Sequence, residues 1–252
     1  MSNRLFVVFA ALLMAVTRMG AEDDRFAGTA QIVVVVAASW ESTTATLTRF
    51  ERTARGWSAI DSWPVTLGHR GLGWGIGLHP AGLAGPEKRE GDRRAPAGIF
   101  VLESAFGTKA FEPRGFPWRR TDGADLWVDD PESSHYNEWV RSVDAPLRRD
   151  WKSAEVLRRE DGLYDFAIVV GHNRGPVVKG RGSAIFLHAW SAPGNSTIGC
   201  TAMEKRRVRE LIEWLDASKR PLLVQAPREA ALLLALPVVI LGAFDTPASP
   251  RR

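Results

Sequence analysis

The chain has 252 residues, 45% hydrophobic and 25% charged, which is enough to bury one sizeable core and excludes a disordered or fibrous protein. A net charge of +4 and a pI near 9.6 favour anionic partners, and nucleic acid, anionic lipid and an acidic wall polymer fit that charge equally well. The single cysteine, Cys200, excludes an internal disulfide.

In chain order, Arg4 precedes an apolar run over residues 5–16, and the sequence turns polar at Ala21-Glu22-Asp23-Asp24. The run is short for a membrane span and has the layout of a secretory signal. Arg18 and Met19 stand where small residues suit cleavage, so residues 1–21 read as a signal peptide or an uncleaved N-terminal anchor. Either way the body is expected outside the cytoplasm, periplasmic or secreted. Exported proteins use cysteines mostly in pairs, so a lone one is either a buried apolar filler or a reactive thiol.

Residues 32–37 are a β-branched run, and 43–50, 57–60 and 65–67 read as further strands between polar turns. The glycine-rich stretch 68–85 lacks the Lys-Ser/Thr ending of a phosphate loop and reads as turns and bulges. A charged loop, Lys88-Arg89-Glu90-Gly91-Asp92, leads into a strand over 95–102. Residues 111–151 are rich in loops, with Pro113, Pro117, Pro131 and Pro146; their Trp118, Trp127, Trp139 and Trp151 suit either core packing or stacking on sugar rings. Strands are expected over 164–170 and 183–188, a helix over about 202–218 with Val208, Leu211, Ile212 and Leu215 on one apolar face, and a strand over 222–225. The result is a mainly β (α+β) domain over 30–226. An apolar tail over 227–252, interrupted by Pro237, suits a packing helix, a surface anchor or no fixed structure.

Thr201-Ala202-Met203-Glu204 matches a capping box, which places Cys200 just before a helix N-terminus. Free N–H groups and the helix dipole there would lower the thiol pKa and stabilise an oxyanion. His188 ends a strand twelve residues earlier, and a loop of that length lets an imidazole meet the thiol, the pairing nucleophilic catalysis requires.

The residues around this pair resemble the YkuD family, the L,D-transpeptidases of bacterial cell walls. The similarity is carried by Ile185-Phe186-Leu187-His188 followed by Thr197-Ile198-Gly199-Cys200-Thr201-Ala202-Met203, with Pro96-Ala97-Gly98-Ile99-Phe100 upstream. Lys88 to Asp92, Asp129-Asp130-Pro131-Glu132-Ser133 with Tyr136-Asn137, and Gly171-His172-Asn173 resemble the branch that carries the catalytic domain alone. The resemblance implies a β-sandwich with a catalytic cleft and a helix after the cysteine. It implies that Cys200 attacks the diaminopimelate–D-alanine carbonyl of a peptidoglycan stem peptide, with His188 as base and no cofactor or metal. Gly199 and Cys200 would supply oxyanion N–H groups, Thr197 would orient the loop, and carbapenem-type inhibitors would acylate the thiol.

Three positions depart from the family pattern. The His–Cys loop is short, Ile198 stands where a His often precedes the Gly, and Ala202 replaces an Arg or Asn. Arg181 or Arg174 is the expected replacement for that charge, and His172 and Tyr136 read as pocket-lining or structural hydrogen-bonding groups. The alternatives are an L,D-carboxypeptidase cleaving the same bond, a silent wall-binding module, and a zinc peptidase using His135, His172 and His188. The last lacks any paired ligand motif. The interleaved charges of Glu204-Lys205-Arg206-Arg207-Val208-Arg209-Glu210 read as a solvated helix face rather than a nucleic-acid surface.

Overall fold

The computed structural model describes residues 24–144 and 148–245. The segment read as signal or anchor, Pro146 and the end of the tail lie outside the described residues. The strands in order are β1 (Gln31–Ala37), β2 (Thr44–Thr53), β3 (Gly56–Thr66), β4 (Leu72–Trp74), β5 (Ala95–Gly107), β6 (Trp118–Arg120) and β7 (Asp125–Val128). They continue as β8 (Trp139–Arg141), β9 (Ala154–Val156), β10 (Ala167–Val170), β11 (Phe186–Ala189), β12 (Thr201–Met203) and β13 (Leu222–Pro227).

The β-branched run of β1 is buried along its whole length. Such a strand belongs inside a sheet rather than at its edge. It lies between β2, antiparallel, and β13, parallel, with Val34 opposite Thr48 and Val224. From there the ladder runs β10-β11-β12-β3-β2-β1-β13-β5, and β5 pairs back onto β10. The expected β-rich fold is present, but its main hydrogen-bonded path closes on itself instead of separating into two stacked sheets. The long β5 makes this closure: residues 98–101 pair with β13 and 102–106 with β10.

β10 and β11 are buried on both faces, so alternate residues enter different cores. Ile168, Val170 and Leu187 join the main core inside the closed path, whereas Ala167, Val169 and Phe186 join a second cluster with Phe106, Trp127, Tyr164 and Cys200. That second cluster is roofed by a separate three-stranded sheet, β8-β7-β9, two of whose strands come from the segment read as loops. The loop tryptophans serve packing: Trp127 and Trp151 are buried, Trp127 and Trp139 pack against the second cluster, and Trp118 stacks on Phe111 and Phe166.

Two expectations need correction. The helix predicted over 202–218 spans only Lys205–Trp214, and Thr201–Met203 is the strand β12. The capping box does not form: the helix N-cap is Glu204, with no side-chain cap bond, and Thr201 Oγ1 bonds Gln225 Oε1 (2.7 Å). Parallel pairing with β11 and full burial of Thr-Ala-Met outweigh a local capping preference. Of the three readings of the tail, the packing helix is the one observed as far as Asp245. After β13, a 3-10 segment (Arg228–Leu234) and a helix (Val238–Asp245) bury Ala231, Leu234, Ile240 and Phe244 in the main core. Among the described residues no helix is long and apolar enough to cross a membrane.

Candidate active site

Strand register brings the thiol and the imidazole to one face. β11 and β12 run parallel with Leu187 opposite Thr201 and His188 opposite Ala202, which sets Cys200 level with Phe186. Side chains alternate along a strand, so Phe186, His188 and Cys200 share the face that looks toward the small sheet. Cys200 and His188 accordingly line one cavity of about 400 Å³.

Two main-chain groups, just before and at the start of β11, hold the Cys200 thiol. Phe186 N–H donates to Sγ (3.3 Å), and the thiol donates to the Ala184 carbonyl (3.4 Å). Ala184 sits in the left-handed region (φ 52°), an unfavourable conformation for alanine, and its N–H is held by Asn137 Oδ1 (3.2 Å). The same Asn137 oxygen accepts from Trp127 Nε1, and its Nδ2 donates to the carbonyls of His172 and Asn173. Asn137 therefore fixes the carbonyl on which the thiol proton rests.

Thr197 closes the turn before the cysteine. Its hydroxyl donates to the Cys200 carbonyl (2.6 Å) and accepts from Gly199 N–H (3.1 Å). Gly199 N–H is thus engaged, and of the two expected oxyanion donors only Cys200 N–H has no acceptor among the described residues. At Gly199 (φ 157°) a Cβ would lie 3.2 Å from the Arg94 carbonyl, so the turn packs closely on the 88–94 loop.

His188 Nδ1 lies 2.7 Å from the Ala189 carbonyl, which can only accept. The proton therefore sits on Nδ1, and Nε2 is left as a proton acceptor, the tautomer a general base needs. The Tyr164 ring stands edge-on to the imidazole at 5.1 Å. Burial pushes the His188 pKa down to about 4, outweighing the Ala189 carbonyl. Burial pushes the Cys200 thiol up to about 12, and Glu155 adds to the rise; the Phe186 N–H, Lys88 and Arg159 oppose it. The resting pair is neutral thiol and neutral imidazole. This overturns the expected activation by a helix N-terminus: β12 stands between Cys200 and the helix, and the dipole acts only within the first turn.

The three expected substrate-binding residues do not line the cavity. His172 is buried, accepts from Ile76 N–H at Nδ1 and donates from Nε2 to the Arg181 carbonyl, and burial pushes its pKa to about 3. Tyr136 donates to Glu90 and accepts from Gly182 N–H. Arg181 holds the Lys88 carbonyl and faces Glu87, while Arg174 bonds the Asn137 carbonyl and Glu103. The cations that do line the cavity are Lys88 and Arg159, and the acids are Glu90, Asp129 and Glu155. Lys88 is buried, bonded to Asp92 and the Arg89 carbonyl. Lys88, Glu90 and Asp129 fell within stretches that the sequence singles out. Glu155 and Arg159 carried no local signal, and Tyr164 read only as the start of a strand; the separate sheet brings Glu155 to the site.

Among the described residues no group of three or more His, Cys, Asp or Glu side chains is arranged to hold a metal. His135, His172 and His188, considered together from sequence, are held apart by Glu138, by Ile76 with Arg181, and by Ala189.

Residues 32–240 match the YkuD family model, an L,D-transpeptidase catalytic domain. No curated protein matches the chain. Among solved structures the chain is similar to Bd1075 of Bdellovibrio bacteriovorus, at 15% identity and a TM-score of 0.38. The match covers 81% of this chain but 49% of that one, so the chain spans about half the length of that structure.

Proposed function

The chain belongs to the YkuD family of L,D-transpeptidase catalytic domains, and from that premise we propose that it is a peptidoglycan L,D-transpeptidase with Cys200 as nucleophile and His188 as base. The observation that carries this reading is the shared cavity face lined by the thiol and by an imidazole whose Nε2 has no partner among the described residues.

In the proposed reaction the thiol turns from the Ala184 carbonyl toward His188, and Nε2 takes its proton as Sγ attacks the diaminopimelate–D-alanine carbonyl. Cys200 N–H faces the developing oxyanion. Collapse breaks the amide bond, and His188 returns the proton to the departing D-alanine amine, leaving a thioester. An acceptor amine then attacks the thioester, gives its proton to His188, and the thiol is restored. Since Ala202 supplies no charge and Lys88 is buried against Asp92, Arg159 is the cavity cation that meets a substrate carboxylate. With a stem peptide as substrate, the proposed location is the periplasm or outside the cell.

The test is intact-mass analysis after incubation with a tetrapeptide stem or a carbapenem. An acyl adduct on Cys200, absent from Cys200→Ala, is the expected result; no adduct, with Cys200→Ala equally active, refutes it. Muropeptide analysis then separates transfer, which gives 3–3 cross-links, from hydrolysis, which gives tripeptides without them.

A further inference from the structure

Charge is distributed unevenly around the cavity. Three carboxylates reach its lining, and they differ in what they already bind. Glu90 is engaged at both oxygens, by Tyr136 and Ser183 on Oε2 and by Gly91 N–H on Oε1. Glu155, on β9, accepts from Tyr164 O–H at Oε1 (2.5 Å), while among the described residues nothing donates to Oε2. Arg159 stays 3.9 Å from Oε1 and gives its short bonds to Asp161. Asp129 Oδ1 is buried and, among the described residues, has no donor at all.

A buried carboxylate oxygen without a donor is unfavourable unless a partner supplies one. These acids are not grouped to ligate a metal ion. An ammonium on a flexible chain needs no fixed coordination shell and fits two spaced carboxylates. We propose that the Glu155–Asp129 wall is an ammonium subsite, in which Glu155 grips the side-chain amine of the donor peptide's diamino acid while its carbonyl meets Cys200. Arg159, beside Glu155, presents the opposite charge to a carboxylate on the same carbon. This proposal rests on the stem-peptide reading above.

The subsite also bears on the nucleophile. Glu155 is the charge that most raises the Cys200 thiol, and the Tyr164 that bonds it also stands against His188. An ammonium docked on Glu155 cancels that charge, so correct substrate makes the thiol easier to ionise.

The experiment uses the full chain with Cys200→Ala, which cannot turn over, and calorimetric titration with two probes. One is the tetrapeptide L-Ala-γ-D-Glu-diaminopimelate-D-Ala; the other is the same peptide acetylated on the diaminopimelate side-chain amine. The free amine should bind at least about tenfold tighter, the low end of what a hydrogen bond to a charged group contributes. Adding Glu155→Gln should erase the difference, Glu155→Asp should keep part of it, and Asp129→Asn should reduce it, with thermal midpoints recorded for each. Equal binding of the two probes, or a preference that survives both Glu155→Gln and Asp129→Asn, overturns the subsite. If wild type still forms its Cys200 adduct in that case, the subsite alone falls. If neither probe binds and no adduct forms, the substrate reading falls and takes the subsite with it.

Discussion

The resting state of Cys200 can be measured directly by its reaction with iodoacetamide as pH is raised. The thiolate is the reacting form. Burial and Glu155 push the thiol from an ordinary 9.0 up to about 12, so at neutral pH its thiolate fraction should lie about a thousandfold below that of a free cysteine. The rate should climb tenfold per pH unit without a plateau up to about pH 10, and the same chain in urea should plateau near 9. The sign of the linked stability follows. The folded pKa lies above the unfolded one, so the stabilisation is complete below about pH 9 and is lost as pH rises toward 12. Its upper bound is about 4 kcal/mol, at 1.36 kcal/mol per pH unit. A plateau below pH 8 in the folded protein would refute this reasoning and indicate a preformed thiolate–imidazolium pair.

Thr197→Val removes a hydroxyl that makes two bonds in the turn, which should cost about 1–3 kcal/mol in urea unfolding and lower kcat more than it raises KM. His188→Gln should lower the acylation rate by about 10²–10⁴-fold while leaving the melting temperature nearly unchanged, measured by adduct formation and calorimetry. Asn137→Ala leaves the Ala184 N–H and Trp127 Nε1 without their shared acceptor, and should cost about 2–4 kcal/mol with a parallel loss of acylation. Leu234→Ala, in the tail, should destabilise by about 2–5 kcal/mol if that segment is part of the main core, and by almost nothing if it is a loose appendage.

Much of this molecule was legible where one residue pattern had one outcome. The run Ile32-Val33-Val34-Val35-Val36 reads as a buried strand and is one, and the face of Val208, Leu211 and Ile212 is buried as its spacing requires. Thr201-Ala202-Met203-Glu204 is different, because it satisfies a helix cap and a short strand equally. Pairing with β11 on one side and the distant β3 on the other decides between them. The mechanism of thiol activation was misread for that reason. Part of the cavity lining was invisible for another. Glu155 and Arg159 lie in a stretch without strong periodicity, Tyr164 reads only as the start of a strand, and their relation to Cys200 exists only once β9 folds across the second core. Tyr136 and His172 drew attention because they fall in stretches that resemble the family, yet saturated hydrogen bonds make them struts behind the site.

The division between the closed ladder and the three-stranded sheet has an evolutionary consequence. The ladder carries the bond-breaking pair, whereas the small sheet and the strand-to-strand segment after it carry Glu155 and Arg159, which face whatever enters. The two meet through side chains across the second core, not through a shared backbone ladder. The stretch 154–162 can therefore drift, or be exchanged by an engineer, without disturbing the register that sets His188 beside Cys200, provided Trp127 and Asn137 keep their places behind the thiol. Reactivity and selectivity are in this way carried on different lengths of chain, coupled through Asn137 and Glu155.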